Sequence, residues 1–176
     1  MIRSILSILS AVVLTGFVGA DDKPATAAPK NAAFETLKGL AGEWVPLDKD
    51  GKSTDQVFTA FKVTSNGSAI QETIHPGTPM EMVSVYHLDG KDLVMTHYCF
   101  LGNQPKVKLD PKSTEKVLKF SFVGGTNLDP AKDMHMHEGT ITILDTDRIE
   151  TAWVGWMNGK ADDSHKMTMT LVRKKK

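Results

Sequence analysis

From residue 43 onward, apolar and polar residues alternate along most of the chain, which is the two-residue period of β-strands. Turn-forming residues recur every eight to fifteen positions, and Asn66-Gly67 and Asp89-Gly90 are the clearest two-residue hairpin signals. Before the strands, Phe34, Leu37 and Leu40 recur at helical spacing and predict one short helix. The pattern predicts ten strands, at residues 43–47, 56–63, 68–75, 81–88, 92–99, 105–109, 116–123, 136–144, 147–157 and 165–173.

The order of these elements indicates the fold class. One helix followed by many short, hairpin-linked strands argues against repeated βαβ units and favours an antiparallel sandwich or barrel. Short sequential connections favour an up-and-down arrangement, and closure removes the exposed edges of a ten-stranded open sheet. The sequence therefore predicts an all-β protein, an antiparallel up-and-down β-barrel of about ten strands with a short N-terminal helix.

The N-terminal region has the composition of an export signal. Arg3 is followed by an apolar run from Ile5 to Val18 and by small residues that end at Ala20. We expect a signal peptide at 1–20, cleaved after Ala20, a flexible linker at 21–33 and the barrel domain at 34–176. The expected location is secreted or periplasmic, with no stable membrane insertion after cleavage. An uncleaved membrane anchor is the alternative.

Charge and cysteine content narrow the function classes. The chain has 21 Lys and Arg against 21 Asp and Glu, so it offers no electrostatic basis for binding nucleic acid. Cys99 is the only cysteine, which excludes an intrachain disulfide.

Both ends of the predicted barrel carry a family signature. A short helix leads into Gly42-Glu43-Trp44, and Arg173 lies in the last predicted strand. This arrangement resembles lipocalin-like (calycin) barrels, in which a Gly-x-Trp motif begins the first strand. The resemblance implies that Trp44 packs near the closed end of the barrel beside Arg173. Nitrobindin-like haem-binding barrels, which also have ten strands, are an equally good structural relative.

Strand parity predicts where the histidines lie. If the first and last strands pair antiparallel, an even number of strands returns Arg173 to the end where Trp44 begins, which we name the bottom. Five of the six histidines then lie at the top, and His87 alone lies at the bottom. The five are His75, His97, His135, His137 and His165. The predicted top loops are also the longer ones, as expected where a barrel opens to a ligand.

Side-chain alternation predicts which residues face inward. His137 alternates in phase with Ile141 and Ile143, so we expect it to point into the barrel, with His135 if the strand extends that far. His165 is in phase with Met167 and Met169. The predicted ligand-binding residues are His97, His137, His165, His135, Tyr86, Met95 and Trp153.

These residues favour an exported barrel that binds a small hydrophobic or planar molecule, with a filled interior as the competing reading. One alternative is a divalent metal held by His135, His137 and His97. Another is haem held by His165, which the nitrobindin resemblance implies. A third is an enzyme that uses Cys99 with His97, or Glu81 and Glu138 with His137. Asn103 and Gln104, in the top loop, are candidates to donate hydrogen bonds to a ligand carbonyl.

Overall fold

The computed structural model describes residues 31–175, so the predicted signal peptide and residues 21–30 of the predicted linker lie outside it. Helix α1 spans Ala32–Gly39, and the Asn31 side chain caps its N-terminus by accepting a hydrogen bond from Phe34 N. The helix begins two residues earlier than predicted because this cap satisfies its first turn. Among residues 31–175, no helix is long and apolar enough to cross a membrane.

Ten antiparallel strands follow the helix and close into an up-and-down barrel, in which each strand pairs with its sequence neighbours and β1 pairs with β10. The predicted fold class is confirmed. The strands are β1 (Gly42–Pro46), β2 (Thr59–Thr64), β3 (Ala69–Ile74), β4 (Met82–Asp89), β5 (Asp92–Tyr98), β6 (Gln104–Leu109), β7 (Val117–Thr126), β8 (His135–Asp145), β9 (Arg148–Met157) and β10 (Lys160–Arg173).

The bottom of the barrel is closed by Trp44 and Arg173, which are direct partners in the β1–β10 pairing. The Arg173 guanidinium lies 4.5 Å from the Trp44 ring centroid, a cation–π contact. Trp44 is fully buried and donates a hydrogen bond from Nε1 to the Leu40 carbonyl, 2.8 Å away. Phe34 and Leu37 of α1 join the same core, so the helix packs under this end.

Large side chains fill much of the barrel interior. Tyr86, Met95 and Phe120 are all but completely buried, and Trp153 packs against the same core. The Trp153 ring lies directly over Gly139, where an added Cβ would stand 2.0 Å from a ring carbon, so this position requires glycine. One surface hollow is lined by residues of β1, the loop that follows it and β10, and a second is lined by residues of β7, β8 and β9.

The connection between β9 and β10 differs from the prediction. A loop was expected at 158–164, but the strands are joined by a tight turn at Asn158-Gly159, where φ is 54° and 71°. Asn-Gly suits a two-residue hairpin turn, because both residues adopt positive φ at little cost. The polar residues 160–164 that suggested a loop belong to β10, which is irregular between Asp162 and Lys166.

Candidate functional site

The top end of the barrel carries longer loops and exposed apolar side chains. The loops between β1 and β2, β3 and β4, β5 and β6, and β7 and β8 are at this end. Seven large hydrophobic side chains are largely exposed in the described part of the chain, and strand direction places all but Leu144 at the top. The six are Met80, Tyr98, Phe100, Leu101, Val123 and Met157. Apolar surface therefore surrounds this end of the barrel.

The sheet splits at the top between β7 and β8. Their pairing ends at Ser121 and Glu138, and β8 has one extra residue relative to β9 between Met136 and Glu138. His137 is that extra residue, so the alternation that predicted it to point inward is interrupted there. Met136 packs against the barrel core instead. The irregularity turns the His137 ring toward Phe122 and Trp156.

A chain of hydrogen bonds fixes the two histidines of β8. His135 Nδ1 lies 2.8 Å from the Asp133 carbonyl oxygen, which can only accept, so this nitrogen carries the hydrogen. In the neutral imidazole His135 Nε2 is then an acceptor, and it receives a hydrogen bond from His137 Nδ1, 2.9 Å away. This leaves His137 Nε2 with a free lone pair and no hydrogen-bond partner among residues 31–175.

Aromatic rings enclose the His137 imidazole. Trp156 stacks on it with centroids 3.7 Å apart and an interplanar angle of 10°, and Phe122 stacks at 4.8 Å and 22°. Desolvation by burial, followed by the neighbouring His135, lowers the pKa of His137 to about 4. At neutral pH the ring is therefore uncharged, and its free nitrogen acts as a hydrogen-bond acceptor or a metal ligand.

His97 lies elsewhere at the top end. Its Nδ1 is 2.9 Å from Ser84 Oγ, and burial lowers its pKa to about 4. No group of three or more His, Cys, Asp or Glu side chains between residues 31 and 175 is arranged to hold a metal ion. The predicted set of His135, His137 and His97 is therefore not assembled, because the first two bond to each other and the third bonds to Ser84.

His165 lies in the irregular segment of β10, where Lys166 pairs with Val154 and the preceding paired residue is Asp162. Its side chain is half exposed, and its Nδ1 lies 2.9 Å from Asp162 Oδ2. An ideal Cβ at Gly155 would stand 3.0 Å from the His165 Cβ, so this residue packs beside the end of β9. Contact between His165 and a bound molecule stays a prediction.

The predicted lining residues Tyr86, Met95 and Trp153 face the interior, where Tyr86 contacts a carboxyl group that sequence reasoning missed. Tyr86 donates a hydrogen bond to Glu72 Oε2 at 2.7 Å, and burial raises the pKa of Glu72. The missed signal is that Glu72 alternates in phase with Ile70, which is fully buried.

Two hydroxyl groups hold the Glu72 carboxyl group. Tyr86 donates to Oε2, and Thr59 Oγ1 lies 3.0 Å from Oε1, with the Thr73 carbonyl oxygen as its second acceptor at 3.2 Å. Burial raises the pKa of Glu72, and these two hydrogen bonds oppose that shift. The shift favours the neutral acid, which avoids the cost of an unpaired charge in the barrel interior.

The residues of the predicted enzyme do not form a catalytic set. Burial raises the pKa of the Cys99 thiol, which disfavours the thiolate that a nucleophile needs. Glu81 accepts a hydrogen bond from Gly77 N at 2.6 Å and so fixes its own loop. Glu138 is exposed, and His97 is occupied by Ser84.

The top-loop amides differ in their roles. Gln104 accepts hydrogen bonds from Thr126 and Asn127 and donates one to Gly102, so it is structural. Asn103 is buried and donates from Nδ2 to the Met134 carbonyl at 2.8 Å. One of its two amide hydrogens is therefore used within the protein, as is one of the two on Gln104, and donation to a ligand carbonyl stays a prediction for both residues.

Comparisons with known proteins add no assignment to this geometry. Neither models of protein families nor curated proteins give a match to this chain.

Proposed function

We propose that this protein is an exported carrier or sensor that binds a small planar or hydrophobic molecule at the top of the barrel. The observation that carries this proposal is His137, an uncharged imidazole with a free Nε2, stacked between neighbouring aromatic groups and oriented by His135. Binding sites of this kind combine apolar surface with a few fixed polar atoms. The expected export follows from the signal-like residues 1–20.

Two further features support a binding role. The exposed apolar side chains at the top would give an apolar molecule a surface to contact as it approaches. The split between β7 and β8 lies beside His137, and hydrogen bonds between these strands do not close it. The proposed ligand therefore lies against the His137, Trp156 and Phe122 rings rather than deep in the filled interior.

We also propose membership of the lipocalin-like (calycin) group. The Gly42-Glu43-Trp44 motif, the contact between Trp44 and Arg173, and the closed ten-stranded barrel support it. A nitrobindin-like haem protein is the second candidate. It is favoured by one feature: His137 Nδ1 is held by a hydrogen bond and Nε2 is free, which is how an imidazole that binds a metal is usually oriented. His137, rather than His165, would then hold the haem.

Calorimetric titration of the purified protein with 2-naphthol, a neutral planar probe, tests the proposal. We expect saturable binding that weakens about tenfold or more in His137→Ala, because the substitution removes one of the three rings that the probe contacts. His87→Ala, at the opposite end of the barrel, is the control and should bind as the parent does. Equal affinity in His137→Ala and the parent, or no binding by the parent, would contradict a binding site at His137.

The same variants separate the haem candidate. Titration with haemin should give an absorbance change typical of an imidazole ligand if His137 holds the iron, and His137→Ala should abolish that change. An unchanged haemin spectrum in His137→Ala would exclude His137 as the ligand.

A further inference from the structure

Asn103 carries an unpaired polar atom in the protein interior. The residue is 5% exposed, and its Oδ1 is buried without a hydrogen-bond partner in the described part of the chain. The orientation of the amide is fixed, because Nδ2 must be the atom that faces the Met134 carbonyl oxygen 2.8 Å away. Oδ1 is therefore a true acceptor whose partner is missing, and such groups are uncommon in folded proteins.

Asn103 belongs to the same corner of the barrel as the histidine pair. Met134, which accepts its amide hydrogen, immediately precedes His135, and the Asn103 backbone carbonyl accepts a hydrogen bond from Cys99 N at 3.1 Å. Asn103 thus ties the loop after β5 to the start of β8. Its free oxygen is held by the same segment that orients His137.

The polar atoms left free in this corner have the same hydrogen-bond character. Asn103 Oδ1 and His137 Nε2 are both acceptors, and both belong to uncharged groups. The rings packed against the His137 imidazole are those of Phe122, His135 and Trp156. Two uncharged acceptors beside these rings favour N–H and O–H donors over an anion.

The charged side chains close to this segment in sequence would not help an anion either. Lys132 is paired with Asp129 at 3.0 Å and Lys166 with Asp163. Asp133 and Glu138 at the start of β8, with Asp162 in the part of β10 that pairs with β9, outnumber the remaining Lys160. A carboxylate ligand would therefore meet acceptors and acidic groups rather than donors.

We propose that the ligand is a neutral planar molecule that carries an N–H or O–H donor, and that Asn103 Oδ1 receives this donor. The inference rests on the proposed function and deepens it, since it names the class of ligand and a second contact residue. Phenols, aromatic amines and N–H heterocycles belong to the predicted class, whereas fatty acids and other carboxylates do not.

Three matched probes test the inference by calorimetry: 2-naphthol, its methyl ether 2-methoxynaphthalene, and 2-naphthoate. The parent should bind 2-naphthol about tenfold more tightly than the ether, because only the hydroxyl can donate. It should bind 2-naphthoate more weakly than 2-naphthol. Equal affinities for the three probes would overturn the inference, although binding itself would leave the proposed function intact.

Two variants then distinguish direct contact from loop positioning. Asn103→Ala removes both the acceptor and the bond to Met134, whereas Asn103→Asp keeps an acceptor oxygen, loses the donor to Met134 and adds a negative charge when it is ionised. We expect the preference for 2-naphthol over the ether to disappear in Asn103→Ala and to survive in Asn103→Asp. Preference retained in Asn103→Ala, or lost in both variants, would overturn a direct contact. Failure of the parent to bind any probe would overturn the inference together with the proposed function.

Discussion

Replacing Arg173 with alanine is expected to lower the free energy of unfolding by about 3 kcal/mol. The guanidinium donates hydrogen bonds to the carbonyl oxygens of Ala41 and Gly39 at 2.8 and 3.1 Å, and to Asp147 at 3.0 Å, while it covers the Trp44 ring. Gly39 is the last residue of α1, so this cation also lies where a helix C-terminus favours positive charge. Urea-induced unfolding measures the loss.

The adjacent Lys174 provides the control. It forms an exposed ion pair with Glu43 at 3.1 Å, which we expect to contribute less than about 1 kcal/mol. Arg173→Lys should recover only part of the alanine loss, because an ammonium group cannot bond several acceptors in the geometry of a planar guanidinium. If Arg173→Ala proved no more destabilising than Lys174→Ala, the barrel would not depend on this bottom contact.

Acidification is expected to destabilise the protein through His97. Burial holds the folded pKa of His97 at about 4, below its usual value of 6.5. Between these values the unfolded chain takes up a proton that the folded chain excludes, so stability falls as the pH drops from about 6.5 to 4 and levels off below. The difference between these two pKa values corresponds to a loss of about 3 kcal/mol in the free energy of unfolding. Unfolding in urea at several pH values across this range measures it.

A histidine variant isolates this contribution. His97→Gln stays neutral throughout and should lose about 3 kcal/mol less than the parent over the same pH range. His87→Gln, at the opposite end of the barrel, is the control and should show the parent's full loss. The raised pKa of Glu72 acts in the opposite sense, since its protonated form favours folding at low pH. The contribution of Glu72 is the same in the variants and the parent, so it cancels when their pH dependences are compared. An identical pH dependence in His97→Gln and the parent would show that His97 is not held neutral by burial.

The architecture of this barrel could be predicted because it depends on features that repeat along the chain. Apolar and polar residues alternate several times within each strand of five to fourteen residues, so one wrongly assigned position does not change the predicted number of strands. An even count then brings Arg173 back to Trp44 whatever the loop lengths. Turns were predicted less well than strands. The hairpin turn at Asn158-Gly159 was missed because the polar residues that follow it suggested a longer loop.

The candidate site could be located but its geometry could not be predicted. One extra residue at His137 and the irregular segment before Lys166 each reset the side-chain phase, and an alternating pattern carries no mark of such insertions. Glu72 was missed for another reason: a buried carboxyl is rare, and only its hydrogen bonds to Tyr86 and Thr59 make it tolerable.

The proposed function depends on the protonation and surroundings of the His137 imidazole, so the nitrogen atoms of this ring give the most direct test. Nitrogen NMR of protein labelled at histidine reports which ring nitrogen carries the proton, with and without 2-naphthol. We predict that at neutral pH His137 is protonated on Nδ1 only, and that the Nε2 signal shifts when the probe binds. A proton on Nε2 at neutral pH, or a His137 signal that saturating 2-naphthol leaves unchanged, would contradict the account.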